Sequence, residues 1–203
     1  MAKAKPVVGI EAQASTATNA RKIARTRLEE LMMWGQYAHD PQRVNELHDL
    51  RIAAKRLRYT LEIFSEVLPE GTNAILEEVT RIQEELGNLH DGDVMIALLN
   101  VCLQQQQENS NGVTQHKNNE KQAHDAAIAA QQQAGKHLIN NVELVTYLLD
   151  VRTAPSQEQR QGLEQLLIHT KQRREEEYEA FRMHWDRLQA QDFQREVLDL
   201  LDV

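Results

Sequence analysis

Cysteine is nearly absent from this chain. Cys102 is the single one among 203 residues, so an intramolecular disulfide framework and a cysteine-rich zinc cluster are both excluded. Apolar runs are short as well: no stretch of about 18 apolar residues exists to cross a bilayer. The opening MAKAKPVVGI lacks the apolar core of a signal peptide, and with the lone thiol it gives the expectation of a cytoplasmic protein. Four prolines, eight glycines and 4% aromatics leave little to build turns or aromatic-rich strands. What fills the chain is Ala, Leu, Gln and Glu, which favour helices, so the sequence predicts an all-α protein with no strand.

Positive charge is scarce overall but unevenly placed. The net charge is −8, yet residues 1–65 hold 11 Lys and Arg against 7 Asp and Glu, a net +4. Residues 66–203 hold 12 against 24, a net −12. An acidic bulk repels loose nucleic acid, so any polyanion would have to be drawn by a local field. A general DNA-binding role, a specific nucleic-acid partner and a membrane partner are not expected.

The chain reads as a mobile N-terminal segment, residues 1–14, followed by one helical domain, 15–203. A basic half (15–103) is separated from an acidic half (115–203) by the polar 104–114 loop. Helix one is expected from Ser15 to Ala38, with Ala20, Ala24, Leu28 and Leu31 on its apolar face. Asp40 and Pro41 read as the cap and first position of helix two, which would run to about Val67. Helix three, carrying Ile75, Val79, Ile82 and Leu86, would end near Gly87. Further helices are expected over 116–134 and 138–149, and a long one after the capping box that starts at Ser156. The HDAAIAA stretch at 124–130 weakly echoes HDLRIAA at 48–54. A short amphipathic tail, 197–201, completes the pattern.

Helix two carries the chemistry. His48, Arg51, Lys55 and Arg58 stand at offsets 0, 3, 7 and 10, within one stripe at about 100° per residue. Leu50, Ala53, Ala54, Leu57 and Leu61 occupy the opposite side, so one face can be buried while the other is held rigidly outward. Arg56 lies at the border. Forked guanidinium donors match phosphate oxygens, and lysine adds a mobile point charge. The plainer reading is a solvated face with acidic partners, of which only Glu62 is near, one turn beyond Arg58. Arg21, Lys22 and Arg25 of helix one would extend the patch if the helices pack side by side; otherwise they are ordinary surface cations. Lys171, Arg173 and Arg174 sit next to a run of glutamates, so ion pairing is their default use, with one or two left to join an anion site.

The LGNLHDGDV stretch, 86–94, places His90, Asp91 and Asp93 within four residues. Carboxylates at a helix start commonly cap it. They would otherwise take a divalent cation or orient the arginines of helix two.

HDLRIAAKRLRYTLEIF, followed about 30 residues later by LGNLHDGDV, resembles the signature of the CHAD family, the conserved histidine α-helical domain. The resemblance covers about 24–103 and extends loosely into RREEEYEAFRMHWDRL. It implies antiparallel helical bundles, two packed together with a degenerate second half here, and a basic surface that binds inorganic polyphosphate without chemistry, with recruitment to polyphosphate granules. By the same resemblance His48, Arg51, Lys55, Arg56 and Arg58 lie on the family's basic helix, and Arg81 upstream of its Asp-rich turn. His48 would donate to the anion, its protonation coupled to binding, or else sit neutral between helices.

No cofactor or metal is expected. Three other functions compete. An HD-like metal-dependent phosphohydrolase would use His48, His90, Asp91 and Asp93, against the repulsion of a dense arginine stripe. A phosphoacceptor role for His48 would leave most of the cations without work. A helical scaffold could dock an acidic protein on the same face.

Overall fold

The computed structural model describes residues 3–110 and 157–202, with backbone alone for 104–110. It is all-α. Five helices occur among the described residues: α1 (Thr16–Gly35), α2 (Val44–Ile63), α3 (Thr72–Ser110), α4 (Gln157–Ala190) and α5 (Phe193–Leu201). The chain divides into two compact units. The first takes Met1–Asn88 and Glu177–Val203, and the second Leu89–Glu176.

In the first unit α1 starts where expected, because the Ser15 side chain accepts from the Thr18 amide at 3.1 Å. Its Ala20, Ala24, Leu28 and Leu31 are fully buried. So are Leu50, Ala53, Ala54 and Leu57 of α2, and the two helices pack against each other across a short connection. Each buried leucine contributes about 1.5–3 kcal/mol, and Leu57→Ala would cost about 2–5 kcal/mol by opening a cavity. From α3 come Ile75, Val79, Ile82 and Leu86. Tyr178, Phe181 and Trp185 of α4 complete this core, as do Val197 and Leu201 of α5. The aromatic series is therefore core, and the Tyr178 hydroxyl donates to the Ala38 carbonyl at 3.1 Å. Gly35 is required by this packing, since a methyl there would collide with the Trp185 indole. Gly71 turns the chain before α3 with φ 99°.

α2 ends at Ile63, short of the expected Val67, the tail helix begins earlier, at Phe193, and three further boundaries differ from expectation. Asp40 does not cap α2: its carboxylate accepts from the Gln42 amide at 3.0 Å and its carbonyl from the Arg43 amide at 3.1 Å. It closes a turn of its own, and α2 begins at Val44. α3 does not stop near Gly87 but runs on through Gly92, so 86–94 is mid-helix and not a turn. The 104–110 stretch, expected as loop, continues that helix. Long polar side chains such as Gln are good helix formers, and low hydrophobicity alone did not end it.

The lead-in expected to be mobile lies along α1. Arg27 Nη1 donates to the Lys5 carbonyl at 3.0 Å, and Lys22 Nζ reaches the Gly9 carbonyl at 2.6 Å. The helices expected at 116–134 and 138–149, and the echo at 124–130, lie outside the described residues.

Candidate functional site

Packing the apolar side of α2 into the first unit leaves His48, Arg51, Lys55 and Arg58 half-buried along its other side, as the spacing predicts. Arg51 Nε and Arg58 Nε are themselves buried, which confines both guanidinium groups to a narrow range of positions. Among the described residues Arg51 and Lys55 have no acidic partner, and the buried Arg51 Nε has no hydrogen-bond acceptor. Arg58 lies 3.5 Å from Glu62, a long pair on an exposed carboxylate.

Tyr59, passed over in the sequence, orders two of these cations. Its ring has Arg58 Cζ at 4.9 Å and Lys55 Nζ at 5.5 Å from the centroid. Tyr59 is 42% exposed and so stands at the surface with them.

The remaining predicted cations divide sharply. Arg21 of α1 is half-buried with no acidic partner among the described residues, and its Nε is also without an acceptor. Lys22 is taken by Glu11 at 2.8 Å, and that bond holds the Glu11 carboxyl below its usual range. Arg25 pairs with Asp202, and its Nη2 donates to the Leu201 carbonyl at 3.3 Å, satisfying the end of α5. Arg56 pairs with Glu30, which is 1% exposed and also accepts from Arg27 at 2.7 Å. Arg81 is exposed and bonded to Glu85 at 3.0 Å. Of the predicted cations on α1, α2 and α3, Arg21, Arg51, Lys55 and Arg58 are thus the ones with charge to spare among the described residues.

Arg174 belongs to the second unit. It is 8% exposed, and its Nε donates to Asp93 Oδ1 at 2.9 Å. Asp93 therefore caps no helix: it orients an arginine, though Arg174 and not one from α2. His90 is buried and Asp91 exposed. Among the described residues no three His, Cys, Asp or Glu side chains gather as metal ligands would.

Sequence reasoning missed one further cluster in the first unit. His184, 4% exposed, has Nδ1 at 2.7 Å from Glu85 Oε2 and Nε2 at 2.8 Å from Glu78 Oε2, tying α4 to α3. The 78/85 spacing, two turns along one face, was the available signal.

The described fold is all-helical, with His48, Arg51, Lys55 and Arg58 along one side of α2. Residues 2–100, just under half of the chain, match the family model described as CHAD domain, and this stretch belongs to the CHAD family. No curated protein and no solved structure matches it. Among the described residues no helix is long and apolar enough to cross a membrane.

Proposed function

We propose that the outer face of α2 binds inorganic polyphosphate without chemical turnover, and that such binding directs the protein to polyphosphate granules in the cytoplasm. The observation that carries this reading is Arg51: a half-buried guanidinium with an unsatisfied Nε and no acidic partner among the described residues is costly unless an anion completes it. Lys55, Arg58 and Arg21 supply further charge, and His48 continues the row. The stripe from position 48 to 58 runs about 15 Å along the helix, so a linear anion can meet successive cations while a single phosphate meets one or two. A phosphate chain has no bases to read, which makes cation position and forked geometry the means of recognition.

Calorimetric titration with long-chain polyphosphate, tripolyphosphate and single-stranded DNA at two salt concentrations tests this. Preference for the long chain, with affinity falling steeply as salt rises, is the expected result. Equal or absent binding at physiological salt would reject it.

One observation favours a second reading, the docking of an acidic protein. Tyr59 and Ile63 stand one turn apart and exposed beside the cations, and Ile63 is 74% exposed. Aromatic and arginine side chains are enriched at protein interfaces. A partner displaced by polyphosphate would share the face; one that resists displacement would have its own.

A further inference from the structure

Gly87 and Gly92 are helical, so neither serves a turn. A glycine inside a helix costs about 1 kcal/mol relative to alanine, and its presence asks for a reason. The surroundings supply one. A methyl on Gly87 would stand 3.5 Å from Arg51 Nε and 4.0 Å from Nη2, and outside its own stretch of helix it would meet nothing else within 4 Å. In the second unit a methyl on Gly92 would stand 3.2 Å from Arg174 Cγ and 3.4 Å from Cβ. Each glycine of the LGNLHDGDV stretch faces one arginine.

We infer that Gly87 is a positioning residue for anion binding: its bare backbone is the seat on which the Arg51 guanidinium rests. No hydrogen bond or ion pair holds that head among the described residues, since it has no carboxylate partner and its Nε has no acceptor. Against a flat patch of α3 the long side chain loses much of its rotamer freedom before any ligand arrives, which lowers the cost of binding. A side chain at 87 starts against Arg51, the one residue outside its own stretch of helix that its first carbon would meet. The inference rests on the polyphosphate reading for its functional consequence, but the seat itself rests on geometry alone.

The test is a series of variants in the full chain, read by calorimetry with long-chain polyphosphate and by thermal unfolding. Gly87→Ala adds a methyl at ordinary contact distance, so it should bind within about twofold of wild type and melt roughly 2–4 °C higher. Gly87→Leu should lose about tenfold in affinity, the scale of one charge-assisted hydrogen bond, at an unchanged or higher melting temperature. In an Arg51→Ala background Gly87→Leu should change affinity no further. Wild-type affinity for Gly87→Leu, a full additional loss in the Arg51→Ala background, or a melting temperature many degrees lower would overturn the inference. If the wild-type protein binds no polyphosphate, the function proposed above fails, and the seat is judged by stability: Gly87→Leu should stabilise the Arg51→Ala protein more than it stabilises wild type, and equal effects would overturn it.

Discussion

Glu30 and Arg56 join α1 to α2: the carboxylate, 1% exposed, accepts from Arg56 on one oxygen and from Arg27 at 2.7 Å on the other. A buried acid held by two arginines is a structural joint, and removing it strands two cations. Glu30→Ala should therefore cost about 3 kcal/mol in urea unfolding. Arg56→Ala should cost less, because Arg27 still neutralises Glu30 and the vacated space is partly open to solvent. Its polyphosphate affinity should fall less than that of Arg51→Ala.

Arg51→Ala combined with Arg58→Ala should weaken polyphosphate binding by about 100-fold and flatten the dependence of log affinity on log salt by roughly two charges. Both side chains lie on the face opposite the core, so far-ultraviolet circular dichroism should not change. A parallel loss of helicity would assign them to the fold.

Tyr59 is expected to act through its ring face and not its hydroxyl. Tyr59→Phe should bind polyphosphate as wild type does, whereas Tyr59→Leu should lose about threefold to tenfold, as Lys55 and Arg58 are released from the ring. Equal affinity for both variants would show that the ring does not order the cations.

His184 takes two carboxylates of α3 on its two ring nitrogens from a buried position. His184→Leu leaves Glu78 and Glu85 to Arg187, 3.6 Å from Glu78, and Arg81, 3.0 Å from Glu85, both at the surface. That partial rescue sets the expected loss at about 2–3 kcal/mol, below a fully stranded buried pair. Thermal unfolding of His184→Leu against His184→Gln, which keeps a donor, should place the glutamine variant between leucine and wild type.

Burial pushes the Cys102 thiol above its ordinary range, because the thiolate is poorly solvated there. A raised value in the folded state means the neutral thiol is preferred on folding. Its contribution to stability is therefore complete below the ordinary thiol value of about 8.5 and is lost as pH rises from there through the raised value. Urea midpoints measured from about pH 8 to about pH 10 should fall more steeply for wild type than for Cys102→Ala. The native thiol should also react with alkylating reagents at least about tenfold more slowly than the unfolded one.

The sequence by itself determined the helical class, the core faces of α1, α2 and the first half of α3, and the stripe of His48, Arg51, Lys55 and Arg58. All of these follow from the fixed angle between residues on one helix, which is local and needs no neighbour. Family membership was legible for the same reason, in two short blocks of residues. The tertiary structure alone decided which cations meet an acidic partner. Arg56 is neutralised by an acid 26 residues away, Arg25 by Asp202 at the far end of the chain, and Arg174 by Asp93. Charge pairing across elements leaves no trace in local periodicity. Gly87 carries the same lesson: in one dimension a glycine before a polar stretch signals a helix end, and only the approach of Arg51 in three dimensions reveals a space kept clear for a side chain.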